Sequence, residues 1–362
     1  MPRFVSRLGL LLIALGLLLE LGCGTSLKAP PVASAGGNST DDDPTAETDD
    51  PSLTPVTLQL NWFPEAEHGG YYAAVANGYY KEAGLNVKIL AGGPDSPVVQ
   101  QVARGTVDFG VVNADNILFG RAQDAPIVAV MAPLQISPRC ILVHESSGIR
   151  DFDDLRDVTL AVSSSNAFTQ YMRQELKLDQ KNVKIVPYAG SVAHFLLNKN
   201  YAQQGYVFSE PFVARKGGGD PRVLMLSELG FNPYTSTLFT NDELVKTKPE
   251  LVRKMVAASV RGWETYVQSP EKANALIHRA NPQMDLDILA YGAKTLEPLV
   301  LDRVAEQEGI GTMSRARWQK LADQLVKSRQ MKSSGVDVRG AYTTQFVREA
   351  RDNSNLEARR RD

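Results

Sequence analysis

The strongest constraint on this chain is a rhythm. Short apolar runs alternate with segments of helical spacing, and the alternation runs through once and then begins again. "VTLQLNW" alternates apolar and polar residues from Val56 and reads as a strand. "GGYYAAVANGYYKEAG" follows as a helix that Gly84 stops. "LNVKIL" is a second strand, "DSPVVQQVARG" a helix, "VDFGVV" a third strand, "NADNILFGRAQD" a helix with Asn113 as N-cap, and "APIVAVMAPL" a fourth strand. This βαβαβαβ order is the signature of an α/β domain with a largely parallel sheet. A second set runs through "VTLAVS", "SSNAFTQYMRQELKL", "VKIVPY", "SVAHFLLNKN", "AQQGYVFSEPFVARKGGG" and "RVLMLSEL". "STLFTN" then reads as a strand returning to the first set. From about Glu243 to about Arg329 the pattern is helical, and helices without strands of their own must cover an existing domain. The expectation is a two-lobed α/β clamshell, with lobe 1 over 55–143 and 238–340 and lobe 2 over 144–237.

Composition agrees with two globular lobes. The chain has 362 residues, 43% hydrophobic and 22% charged, with a formal net charge of −2. No dense basic face calls for nucleic acid as a partner.

The N-terminus is not fold. Arg3 and Arg7 precede an apolar run from Leu8 to Leu19, shorter than the roughly 20 residues of a bilayer span. Residues 1–22 read as a signal peptide. The Gly22-Cys23 pair resembles a bacterial lipoprotein cleavage box, in which Cys23 is lipidated and anchors the protein to a membrane. Glu20 stands where that box usually carries Leu, and a plain secretory signal or an uncleaved anchor is the alternative. Residues 23–54, including "GGNSTDDDPTAETDDPS", read as an acidic, extended tether. Residues 341–362 read as a C-terminal tail. Cys140 is the one other Cys, so no disulfide and no Cys metal cluster is expected within the mature chain.

In open parallel sheets ligands sit outside the carboxyl ends of the strands. The residues there are Asn61, Trp62 and His68 after the first strand, Asn113 and Asp115 after the third, Ser164 and Asn166 after the first strand of the second set, and Glu210 after "GYVFS". Tyr234 lies near the return crossing. An aromatic face, neutral hydrogen-bonding groups and one carboxylate make a lining for a small, flat, polar molecule. Each has a plainer alternative: packing for Trp62, a structural hydrogen bond for His68, helix capping for Asn113, Ser164 and Glu210. Tyr71 and Tyr72, adjacent on a helix, are expected to divide between core and cleft.

The stretch "LNWFPEAEHGGYYAAVANGYYKEAGLNVKI", with "VARGTVDFGVVNADNILFGRAQDAPIVAV" and "GYVFSEPFVARKGG", resembles the NMT1/THI5-like and SsuA-like periplasmic substrate-binding proteins. The resemblance runs from about Val56 to Arg329. It implies a type II periplasmic-binding-protein fold and an ABC transporter permease as partner; a monomer without cofactor is expected. Within the family, the Trp-x-Pro…His segment is most similar to the branch that binds pyrimidine precursors of thiamine. There the Trp stacks on the ring and a carboxylate accepts from its amino group, roles that would fall to Trp62 and Glu210. Glu65 replaces the usual Asn after Trp-x-Pro, and "SPRC" replaces a small apolar run. Riboflavin, sulfonates and nitrate are bound elsewhere in the superfamily. One branch is an enzyme, a pyrimidine synthase, with a Lys and a His where this chain has Val112 and Asn116, and a Cys-rich motif near "FNPYTS", where this chain has no Cys. No catalytic residue and no metal is therefore expected here.

Overall fold

The computed structural model describes residues 50–352 apart from Ser165 and Val336. The expected signal peptide, most of the tether, Cys23 and the last ten residues lie outside the described residues. Ten strands form two five-stranded sheets. They are β1 (Thr54–Gln59), β2 (Leu85–Leu90), β3 (Phe109–Val112), β4 (Ile127–Met131), β5 (Arg139–His144), β6 (Thr159–Ala161), β7 (Lys184–Val186), β8 (Tyr201–Tyr206), β9 (Pro221–Met225) and β10 (Thr237–Asn241). The first sheet runs β2-β1-β3-β10-β4 and the second β7-β6-β8-β5-β9. β1 lies parallel to β2 and β3, and β10 antiparallel to β3 and β4. The second sheet repeats this plan: β6 is parallel to β7 and β8, and β5 is antiparallel to β8 and β9. Each sheet thus takes one antiparallel strand from the chain as it crosses over. Strands β3, β4 and β5 are buried at every position, as strands covered on both faces must be.

β5 corrects the sequence expectation, which has no strand at 139–144 and ends lobe 1 at 143. β5 pairs within the second sheet, so the chain crosses before Arg139. It arrives from β4 with no intervening helix, because an antiparallel strand needs no helical crossover. Leu134 of the outgoing crossing and Thr235 of the returning one form an isolated antiparallel bridge. Arg317 holds both crossings, donating to the carbonyls of Gln135, Asn232 and Pro233.

The helix Gly69–Ala76 is buried from Gly69 through Ala74. Tyr71 and Tyr72 are both fully buried, against the expectation that they divide between core and cleft. They do point in different directions, but both directions are covered. From the helix Pro249–Gln268, Trp263 packs edge-on against Tyr71 with ring centres 5.9 Å apart, and Tyr266 packs edge-on against Trp263. A Cβ on Gly69 would fall 2.1 Å from the Tyr266 ring, and one on Gly70 2.2 Å from the Trp263 ring. The expected tail is also corrected over its described part. Ala341, Phe346, Val347 and Ala350 are buried. Ala129 of β4 donates to the Ala341 carbonyl and accepts from the Thr343 amide, each at 2.9 Å. The segment covers β4, an edge strand whose unpaired amides would otherwise be open.

Candidate functional site

All the strand ends that matter open toward one place. β1, β3 and β8 end there, and the antiparallel β5 and β10 begin there. After β1 the chain makes a compact turn through Asn61–His68. His68 Nδ1 accepts from the Glu65 amide at 3.4 Å, so the Nε2 hydrogen donates to Asn61 Oδ1 at 3.0 Å. Asn61 Nδ2 in turn donates to Glu67 Oε1 at 3.2 Å. His68 has no exposed surface, and burial lowers its pKa to about 3, so it is neutral. Both its nitrogens are used inside the turn. It fixes Asn61 and Glu67, whereas the sequence reading puts it in the pocket lining.

That turn presents two carboxylates, and the second sheet presents a third. Glu65 and Glu67 are almost fully buried. Glu67 Oε2 accepts from Ser236 Oγ at 3.1 Å. Glu210 opens the helix Glu210–Lys216 and is half-buried. Its Oε2 accepts from the Tyr206 amide at 2.7 Å and its Oε1 from the Tyr188 hydroxyl at 3.2 Å. Burial raises Glu65 well above the carboxylate range, and the charges of Glu67 and Glu210 raise it further. Burial also raises Glu67, against the hydrogen bonds from Asn61 and Ser236 and the charge of Arg139. Burial raises Glu210, against its bonds from Tyr206 and Tyr188. Glu210 thus comes close to the turn that carries Trp62, from the other sheet.

One guanidinium stands among these carboxylates. Arg139, the first residue of β5, is buried and donates from Nη1 to Asp115 Oδ2 at 3.3 Å. Its guanidinium carbon lies 5.6 Å from the Phe168 ring centre. Burial alone would lower its pKa, but the Asp115 charge and the Tyr206 hydroxyl more than offset this and raise it. Asp115 is 3% exposed, and its other oxygen, Oδ1, has no hydrogen-bond partner. The pair joins the helix after β3 to the second sheet.

The remaining expected residues divide. Trp62 is 37% exposed and Phe63 47%, their rings 5.4 Å apart and edge to face at 70°. They rest on the turn after β2, where the Gly92 amide donates to the Trp62 carbonyl at 2.9 Å. A Cβ on Gly92 would fall 2.2 Å from the Leu60 carbonyl oxygen, so only glycine lets that turn come so close. Asn113 is buried, and its Oδ1 accepts from the Ser236 amide at 3.4 Å; its side chain does not cap the helix. Ser164 is exposed, and Asn166 Nδ2 donates to Gln204 Oε1 of β8 at 3.4 Å. Tyr234 does not join the lining. It is buried, its hydroxyl accepts from the Ser314 amide at 2.9 Å, and the Arg317 guanidinium covers its ring at 3.9 Å. Arg317 comes from a helix some eighty residues away, and no local pattern announces it.

Sequence reasoning did not select Glu65, Glu67, Arg139 or Tyr188 for the site, and it placed Asp115 at a strand end without giving it a role. Two left a trace, since Glu65 and Arg139 both sit where the motif departs from the family pattern. Among the described residues, no group of three or more His, Cys, Asp or Glu could hold a metal ion. No helix among them is long and apolar enough to cross a membrane.

Residues 65–273 match the family model described as NMT1/THI5 like. Three relatives are informative. The riboflavin-binding protein RibY of Chloroflexus aurantiacus is 26% identical over 354 residues, 95% of this chain and 97% of that one. The formylaminopyrimidine-binding protein of Halalkalibacterium halodurans is 22% identical, over 77% of this chain and 86% of its own. A 4-amino-5-hydroxymethyl-2-methylpyrimidine phosphate synthase of Legionella pneumophila is 27% identical, over 63% and 74%. Among solved structures, the sulphonate-binding SsuA of Escherichia coli superposes with a TM-score of 0.62 at 16% identity, covering 80% of this chain and 92% of its own. The nitrate-binding NrtA of Synechocystis does so with a TM-score of 0.61 at 13% identity, covering 83% and 89%. The fold is thus the α/β periplasmic-binding-protein clamshell that the alternation predicted.

Proposed function

The chain belongs to the NMT1/THI5-like family, and from that premise we propose that it is an extracytoplasmic solute-binding protein delivering a small planar heteroaromatic to an ABC importer. The ligand is a pyrimidine precursor of thiamine type. One observation carries this reading: Glu65 and Glu67, in the turn that also carries the exposed Trp62, come within charge–charge range of Glu210 from the other sheet. Buried carboxylates cost free energy unless donors meet them. A ring carrying an amino group supplies such donors, and its face suits an exposed indole. Binding across two sheets also makes lobe closure part of recognition.

Riboflavin is the second reading, favoured by the likeness to RibY along almost the whole chain. Its hydroxyl-bearing side chain is also rich in donors. Catalysis of the synthase kind is disfavoured, because Val112 and Asn116 stand where the resemblance places a Lys and a His.

Titration calorimetry with 4-amino-5-hydroxymethyl-2-methylpyrimidine and with riboflavin tests the reading. Trp62→Ala should weaken binding of the preferred ligand by roughly 1–3 kcal/mol through lost burial and stacking. Glu210→Gln should weaken the aminopyrimidine more than an analogue without the amino group, since a charged acceptor strengthens that bond. Parent-like binding by both variants would sink the assignment.

The protein acts as a monomer, tethered outside the cytoplasmic membrane through lipidated Cys23. Incorporation of a fatty-acid analogue that persists in Cys23→Ser would remove the anchor from this account.

A further inference from the structure

The site holds one cationic side chain among its carboxylates, and that cation is already spent. Arg139 is 5% exposed and gives Nη1 to Asp115 Oδ2 at 3.3 Å. Tyr206 stands beside it, and the Phe168 ring lies under its guanidinium. Around it, Glu67 engages Asn61 and Ser236, and Glu210 engages Tyr206 and Tyr188. Asp115 itself is only half satisfied by this pairing. Asp115 is 3% exposed, yet its Oδ1 has no partner, and a buried carboxylate oxygen without a donor is costly. Only a hydrogen-bond donor could satisfy that oxygen, so its surroundings are hostile to further negative charge.

We propose that Asp115 is a specificity-determining residue: by occupying Arg139 it makes the site accept donor-rich, phosphate-free rings and reject anionic ones, including the phosphate esters of the same rings. The proposal rests on the solute-binding reading above. Its physical content is repulsion built against the wrong ligand, which discriminates as effectively as attraction to the right one. SsuA and NrtA, by the names they carry, bind sulphonate and nitrate on this same fold, so the fold itself does not exclude anions. In this chain the guanidinium that stands near these carboxylates is already paired with Asp115, and Glu67 lies within charge–charge range of it.

The experiment compares two ring–ester pairs by calorimetry: 4-amino-5-hydroxymethyl-2-methylpyrimidine with its phosphate, and riboflavin with its 5′-phosphate. The parent should bind the free form of its ligand at least ~100-fold more tightly than the ester, since like charges in a desolvated site repel strongly. Asp115→Asn, of equal size, frees the Arg139 charge and should narrow that gap by at least about tenfold, mainly through tighter ester binding. Equal affinity of the parent for a ring and its ester overturns the proposal, as does an unchanged gap in a folded Asp115→Asn. If that variant does not fold, the parent comparison still decides. If the parent binds neither ring nor ester but takes up another solute, the ligand reading has failed. The proposal then stands or falls on whether that solute's anionic analogues are excluded in the parent and admitted in Asp115→Asn.

Discussion

Arg139→Met is expected to destabilise the protein by about 3–5 kcal/mol, the cost of removing one partner from a buried ion pair. Asp115 Oδ1 is already without a partner, and the substitution removes the Nη1 donor from Oδ2 at 3.3 Å. A carboxylate 3% exposed would then be left without a donor on either oxygen. Glu67 would also lose the neighbouring positive charge that lowers its pKa. Met keeps most of the volume and the contact with Phe168, so the loss is electrostatic and not a cavity. Denaturant unfolding of the parent, Arg139→Met and the double variant Arg139→Met/Asp115→Asn separates the contributions. The double variant should recover much of the loss, because replacing both members of a buried pair costs far less than orphaning one. A single-variant loss below about 1 kcal/mol would mean that water reaches Asp115 and that the pair is not enclosed.

Gly262→Val is expected to cost about 3 kcal/mol or more, at the upper end of overpacking effects. A Cβ there would fall 2.1 Å from the Gly70 carbonyl oxygen, 2.8 Å from Ala74 Cβ and 2.9 Å from the Ala74 amide nitrogen. The obstacles are mostly backbone, so no side chain can swing aside to relieve them. The helix Gly69–Ala76 would have to move away from the helix Pro249–Gln268. That helix continues directly from the Ala66–His68 turn, so Glu67 and His68 would move with it and ligand affinity should fall as well. Gly148→Ala provides the contrast. Gly148 has a φ of +79° and nothing within 4 Å of its added Cβ, so only the left-handed backbone penalty of roughly 1–2 kcal/mol applies. Equal melting temperatures for Gly262→Val and the parent would contradict the close helix contact.

Much of the site's framework could be read from the chain alone. The alternation of strand and helix is a local property, carried by periodicity within a dozen residues, and it located nine of the ten strands. The rule that ligands gather beyond strand ends then offered Asn61, Trp62 and Glu210 as candidates, each just past a strand. Local signals failed where the chain does something once. β5 follows β4 with no helix between them, so the alternation has no slot for it, and the boundary between the lobes was placed too late. Tyr71 and Tyr72 looked split because adjacent helical positions diverge; that both are buried was decided by packing from far along the chain, such as Trp263 against Tyr71. Tyr234 sits at the right crossing, but Arg317 had already taken its ring. The charge logic was the least legible of all. Whether Arg139 is a free cation or a spent one depends on Asp115, which approaches it only because the second sheet closes on the helix after β3. Periodicity reports which way a residue faces, since that is set by its own backbone. Which charge it meets there is set by long-range packing, and that is a property of the tertiary structure alone.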